Sequence, residues 1–375
     1  MYKYIISFLI IIFSHACLGK NIIVSVNTKI DKNTTYRDCK IDLTNGSFII
    51  SKNSTLRISN CEIDGVISPT NTFLFLSEGK LVLKNNTFII KTENLIPKPN
   101  VPALYYAIKI IDGSTEIIDN TVTLNQAYTV GLLRTDVLPT TKIKFNQNVI
   151  SNLHGGILLR NTQHADVMNN KFLNVSSSNI FIIQSKNVSI KKNSILFSGN
   201  NNVGDAVDLI DSSQVNLVEN YISGGSCYSV VVIRGHHILI DHNLIQGGIT
   251  HSLYITGSES TLDFYSDQYW MQQDLTKSGI NTNILITNNY LSQNRFGLAV
   301  SNMVGLTVKN NVFIQRFVDN KSRSFWTNNK NLFKNVSNVV WENNLYKEAY
   351  SQENNGNNDN SSKFITFPSY GGISL

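Results

Sequence analysis

The sequence predicts an all-β solenoid: a single-stranded parallel β-helix with three strands per coil, about 22–23 residues per coil and an axial asparagine ladder. Three observations carry this expectation. A pattern of alternating apolar residues, then Asn, then an apolar pair recurs eleven times along the chain. Its spacing is regular: Asn148 to Asn170 and Asn289 to Asn311 are 22 residues apart, and Asn170 to Asn193 and Asn220 to Asn243 are 23. Asn243 to Asn289 is 46, two periods. The runs between are short, alternate with period two and are rich in Val, Ile and Phe, with no helical period among them.

Composition fits a folded, secreted chain. Of 375 residues 42% are hydrophobic, enough for a continuous core and too many for a disordered chain. Only 15% are charged, so Asn, Ser, Thr and Gly must cover the surface. The net charge of +6 comes without any Lys/Arg block, which gives nucleic-acid binding no support. A weakly basic surface suits a polyanion such as an acidic polysaccharide, or is simply lysine used for solubility. Residues 1–19 read as a signal peptide. Lys3 supplies the positive start, Tyr4 to Phe13 is an apolar run too short to remain a membrane span, and Ser14-His15-Ala16 offers small residues for cleavage. Secretion or a cell-surface location follows, and plain secretion ranks above a lipid anchor at Cys17. No later run suggests a membrane span.

The repeats follow in order as LRISNCEI at Asn60, LVLKNNTFI at Asn86, TEIIDNTVTL at Asn120, IKFNQNVI at Asn148, DVMNNKFL at Asn170 and VSIKKNSIL at Asn193. VNLVENYI at Asn220, ILIDHNLI at Asn243, ILITNNYL at Asn289, LTVKNNVFI at Asn311 and VVWENNLY at Asn344 complete them. Asn tolerates the left-handed backbone of a tight turn, and its amide can hydrogen-bond to an amide one coil away, about 4.8 Å along the axis. An Asn-rich composition alone would not place the residue at one phase of the strand pattern. Cys39 and Cys61 are 22 residues apart, hence one coil apart. They either stack as thiols, which is favoured, or form a disulfide near the N-terminal end. Cys227 has no obvious partner. Pro97, Pro99 and Pro102 mark a loop, as expected outside central strands. The largest insertion lies between Gly257 and Asn283, and long solenoid loops often line a binding face. The helix spans 20–350. Residues 351–375 are a polar linker followed by a segment containing FITF, a final strand or a cap.

These repeats resemble the generic parallel β-helix repeat of the pectate-lyase-like right-handed β-helix superfamily, from roughly Asn45 to Tyr346. That superfamily hosts lyases, hydrolases, epimerases and non-catalytic proteins. The resemblance implies that the strand before the Asn turn is the second of each coil and that the active-site groove lies on the first. The groove strands are then Ala107 to Asp112, Val130 to Thr135, Ile157 to Asn161, Ile180 to Gln184, Val207 to Asp211, Val230 to Arg234, Leu253 to Gly257 and Leu298 to Asn302. Alternation turns Val207 and Leu209 inward and Leu158, Phe181, Asp208, Val231 and Tyr254 outward. Arg160, Thr256 and Ser301 share a second outward row. Asp112, Asn161, Gln184, Asp211, Arg234 and Asn302 line the turn that follows.

The densest polar set is Asp205, Asp208 and Asp211, with Arg160 two coils before and Arg234 one coil after. Three neighbouring carboxylates repel unless a cation or Arg neutralises them. The set is either a Ca²⁺ and substrate site, with Asp205 and Asp208 as metal ligands and Asp211 on substrate beside Arg234, or a surface salt-bridge patch. His251 and Tyr254, with Arg160 and Arg234, are the catalytic candidates. A His with a Tyr or an Arg can act as base and acid for removing the proton beside a uronate carboxyl group, which is the lyase and epimerase chemistry the resemblance implies. The alternative is an exposed His at a loop end. In the insertion, Tyr265, Tyr269 and Trp270, with Phe264, form a wall for sugar rings or pack against the helix. Asp263 and Asp267 there bind a cation or are merely solvated. Hydrolysis ranks lower. Gly204-Asp205 resembles the Gly-Asp-Asp segment of polygalacturonases, but Ala206 replaces the second Asp. Asp208 and Asp211 would stand roughly 10 Å apart along a strand, at or beyond the limit of about 9.5 Å for an inverting pair. Phosphate-loop, zinc-spacing and serine-elbow motifs are absent. The expected function is lyase action on an acidic polysaccharide, with a non-catalytic glycan-binding or surface protein as the alternative.

Overall fold

In a computed structural model the described residues are 20–95, 103, 105–125, 130–135, 142–197, 205–224, 228–247, 251–257, 279–294, 296–316 and 333–349. Residues 1–19, expected to be a signal peptide, the tail from 350, Gly204, Cys227, the three loop prolines and insertion residues 258–278 lie outside them. No helix occurs among the described residues, and none there is long and apolar enough to cross a membrane.

Each coil supplies three strands. Val207–Ile210, Ser213–Val218 and Tyr221–Ser223 make one coil, and Tyr228–Ile233, His236–Asp241 and Leu244–Gln246 make the next. They stack in parallel register, Val207 on Val230, Val215 on Ile238 and Tyr221 on Leu244. The third strands of the coils build a sheet of 13 strands, and the first and second strands form the first and second sheets, two faces of a 22-stranded sheet joined where Phe296–Lys309 pairs with both. Phe296–Lys309 runs through the first sheet and on into the second, stacking on His251–Thr256 and then on Asn281–Thr287. Inward alternate positions such as Ile182, Leu209, Val232 and Ile255 form one continuous core. Aromatic stacking continues along the axis: Phe48 and Phe75 lie 6.0 Å apart between ring centres, and Phe145 and Phe172 6.4 Å. Each such buried side chain contributes about 1.5–3 kcal/mol.

The asparagine ladder is present, with one correction to its physics. The backbone N–H and the Nδ2 of Asn170 both donate to Oδ1 of Asn193, at 3.0 and 2.9 Å. Asn193 donates likewise to Asn220, at 2.9 and 3.0 Å, and its Nδ2 also reaches the Val167 carbonyl at 2.8 Å. The same geometry runs from Asn86 to Asn344. The left-handed residue, however, is the one before each ladder Asn: Asn85, Asp119, Gln147, Asn169, Lys192, Glu219 and His242 have φ between 52° and 58°. Turn geometry therefore tolerates varied side chains, and the buried amide alone requires Asn. Asn60 belongs to the left-handed set (φ 55°), and Cys61 takes the ladder position, its N–H donating to Asn86 Oδ1 at 3.0 Å. Cys39 follows left-handed Asp38 in the same way. Both thiols are buried, and no disulfide joins them.

Asn193→Ala removes the acceptor for two donors of Asn170 inside a sealed column. It should cost about 2–3 kcal/mol and lower the thermal midpoint. Lys192→Gly, one residue earlier, relieves a left-handed non-glycine and should be neutral or slightly stabilising. Equal midpoints for the two variants would contradict this division of labour.

A second column follows the first sheet. Thr162 N–H donates to Ser185 Oγ and Ser185 N–H to Ser212 Oγ, each at 3.1 Å. Asn161, Gln184, Asp211, Arg234 and Asn302 occupy the left-handed turn beside it, with φ of 49–55°. At Asp112 the left-handed position passes to Gly113.

Candidate functional site

Strand register fixes the outer rows of the first sheet. Arg134, Leu158, Phe181, Asp208, Val231, Tyr254 and Ala299 stack in sequence. Arg160, Ile183, Ile210, Ile233 and Thr256 form the next row, and Ser301 Oγ donates to Thr256 Oγ1 at 3.0 Å. The outward positions expected from alternation are therefore outward. Their environment differs from an open groove. Leu158, Phe181, Ile183, Ile210, Val231 and Ile233 form a second buried apolar cluster, separate from the core, with Tyr228 and Tyr254 packed against it.

Asp208 lies within that apolar row and is only 4% exposed. The expected exposed strand of three carboxylates is thus not what the fold builds. Asp205 Oδ1 accepts the Tyr228 N–H at 2.9 Å, one coil on. Asp211 sits in the turn, where its two oxygens accept from Nε and Nη2 of Arg234 at 2.6 and 2.7 Å. This bidentate pair realises the proximity expected of Asp211 and Arg234. The Arg234 side chain is 4% exposed and passes beneath Gly279, where an added Cβ would lie 2.6 Å from its Cδ. The pair holds both side chains in place at the turn after the first-sheet strands.

Ca²⁺ requires six to eight oxygen ligands. Among the described residues no group of three or more potential ligands forms, at Asp205 and Asp208 or elsewhere.

His251 and Tyr254 do come together. They are three residues apart on one strand, a spacing that strict alternation sends to opposite faces. The pairing register passes over Ser229 and Ser252, both fully buried. Tyr228 and His251 thereby lie on the side of Tyr254. Tyr228 and Tyr254 stack with ring centres 4.4 Å apart and planes 8° from parallel. The His251 ring is 5.5 Å from Tyr228 and 5.7 Å from Tyr254. All three rings are half-buried. Stacked aromatics with an imidazole at their edge supply both a platform for a sugar ring and a proton-transfer group.

Arg160 is on the same face but remote. Four register steps separate it from Thr256, on the strand that carries His251 and Tyr254, roughly 19 Å at about 4.8 Å per coil. Arg134, further still, lies with its guanidinium 5.9 Å from the centre of the Tyr106 ring. Sequence reasoning singled out neither Tyr228 nor Arg134. The 23-residue interval from Tyr228 to His251 is one coil and was the available signal. Tyr265, Tyr269 and Trp270 lie outside the described residues.

Residues 106–269 match the family model described as a right handed beta helix region. With three stacked parallel sheets and an axial amide ladder, the chain is a right-handed parallel β-helix protein. Among solved structures it is similar to the periplasmic alginate epimerase AlgG, with 14% identity and a TM-score of 0.48 over 85% of this chain and 78% of that one. It is similar also to a PL6 alginate lyase in complex with a trisaccharide, with 14% identity and a TM-score of 0.44 over 90% and 83%. A third is tailspike protein 3 of bacteriophage CBA120, with 9% identity and a TM-score of 0.44 over 86% of this chain and 56% of that one. No curated protein matches the sequence.

Proposed function

We propose that this is a secreted or cell-surface protein that acts on an acidic polysaccharide at the half-buried Tyr228–His251–Tyr254 end of the first sheet's outer face. The Tyr228–His251–Tyr254 cluster carries the proposal, because it joins a ring platform to a base and an acid at one point of that face. The chemistry is β-elimination. His251 takes the proton on the carbon beside a uronate carboxyl group. That electron pair forms a carbon–carbon double bond as the glycosidic C–O bond on the adjacent carbon breaks. Tyr254 delivers a proton to the departing oxygen. Arg160 grips the carboxylate of a distant sugar unit rather than the reacting one, and Arg134 extends the track.

One observation favours a second reading, in which the protein binds such a glycan without cleaving it. Arg234, on the turn after the strand that carries Tyr228, is held in a bidentate pair with Asp211 rather than turned toward the rings. Incubation with pectate, alginate and glycosaminoglycans, with and without Ca²⁺, distinguishes the two. Ultraviolet absorbance of unsaturated products is expected from one of these polymers, independently of Ca²⁺. Saturable binding with no product from any of them would establish the second reading, and neither binding nor product would end both.

A further inference from the structure

The outer face of the second sheet carries an arrangement that the first-sheet site does not use. Within successive second-sheet strands, the ladder is interrupted at one residue per coil while the register stays the same on either side. Lys186 pairs with Ser213 and Val188 with Val215, passing over Asn187 and Gln214. The next coils pass over His237 and Asn283 in the same way. All four skipped residues are left-handed, with φ of 53–57°. A left-handed residue breaks the extended backbone and turns its side chain out of the regular pleat. The result is a column of amide, amide, imidazole and amide, one per coil, at intervals of about 4.8 Å. Asn283 Nδ2 and His237 Nε2 lie 3.2 Å apart, linking the last two members of the column.

Beside this column is a depression of about 350 Å³ lined by Asn187, Val188, Ser189, Gln214, Asn216 and His237. Ser189 and Asn216 stack in register two residues further along the strands. Gln214, Asn216 and His237 are exposed. The lining is uncharged and both donates and accepts hydrogen bonds. The nearest charges have opposite signs, Lys186 preceding the column and Asp166 one coil before Ser189. A protein partner would call for an exposed apolar centre, whereas the one apolar lining residue, Val188, is 1% exposed. An anionic chain would call for a row of cations. The axial interval is comparable with the length of one pyranose residue.

We propose that this trough binds a neutral oligosaccharide, its sugar units following the coils and its hydroxyl groups bonding to Gln214, Asn216 and His237. This is a glycan surface separate from the first-sheet site and does not depend on it. The test is calorimetric titration of the full chain with neutral β-1,4-glucan, β-1,4-mannan and α-1,4-glucan hexasaccharides, and with a hexauronate, alongside NMR of the His237 ring. At least one neutral hexasaccharide should bind saturably and shift the His237 resonances. Asn216→Ala and Gln214→Gly, the latter keeping the left-handed backbone, should each weaken that binding about fivefold with thermal midpoints unchanged. Tyr254→Ala should leave it intact. No saturable binding of any neutral hexasaccharide overturns the proposal. So does binding that Tyr254→Ala abolishes, or that both trough variants leave unaltered. Failure here leaves uronate binding at the first-sheet face standing, and the hexauronate titration reads that independently.

Discussion

Arg234→Ala should destabilise the protein by about 3 kcal/mol and lower its thermal midpoint by several degrees. The guanidinium is almost fully buried and makes a two-pronged contact with a carboxylate that is itself only 22% exposed on its side chain. Deleting the cation strands Asp211 in a partly desolvated turn, and the stranded charge sets most of the cost. Arg234→Lys should recover little, because a single ammonium cannot reproduce the parallel pair of hydrogen bonds. Gly279→Ala should resemble a weaker form of the same lesion, since its Cβ would press on the arginine stem at 2.6 Å from Cδ and 2.9 Å from Cγ. The measurement is chemical or thermal unfolding of the four proteins. Midpoints within a degree of the parent for both arginine variants would show that the pair holds nothing together. Any loss of activity in Arg234→Ala should follow the loss of folded protein.

The stacking was legible in the sequence because a buried amide column tolerates little else. From Asn86 to Asn344, each ladder Asn satisfies the backbone N–H of the one before it, so the residue type repeats at the coil period. The left-handed position was misplaced by one residue. Its occupants (Asp119, Gln147, Lys192, Glu219 and His242 among them) share a backbone angle but no side-chain chemistry, and a composition pattern does not reveal an angle. Alternation placed Asp208 and Tyr254 outward correctly, because period two is rigid within a strand. It could not place Tyr228 and His251, since the strand pairing is interrupted at Ser229 and Ser252 and both rings lie against Tyr254 on the far side of that break. The distance from Arg160 to His251 was countable in coils, yet proximity on one face was taken for proximity in space. The buried apolar cover over Leu158, Phe181 and Val231 was also indicated by their outward phase. Three large apolar residues facing water on consecutive coils would be an unusual surface, and the structure buries them.

If the ring cluster is the reacting centre, His251→Ala and Tyr254→Phe should each lower kcat by about 10²–10⁴-fold on whichever acidic polymer proves to be the substrate. The two substitutions separate chemistry from packing in different ways. Tyr254→Phe keeps the ring that stacks on Tyr228 and removes only the hydroxyl, so its fold and its sugar platform should persist and KM should change little. His251→Ala removes the proton acceptor together with a ring contact, and a modest fall in the thermal midpoint is expected beside the kinetic loss. Arg160→Ala should behave in the opposite sense. A side chain some four coils from the reacting unit, roughly 19 Å at about 4.8 Å per coil, contributes binding to ground and transition states alike. KM should therefore rise with kcat nearly constant, and only for polymers long enough to span that distance. A short oligouronate should not register the substitution. Turnover that survives both His251→Ala and Tyr254→Phe would place the chemistry elsewhere on the solenoid. A kcat effect of Arg160→Ala on a short oligomer would mean that the polysaccharide does not run along the axis.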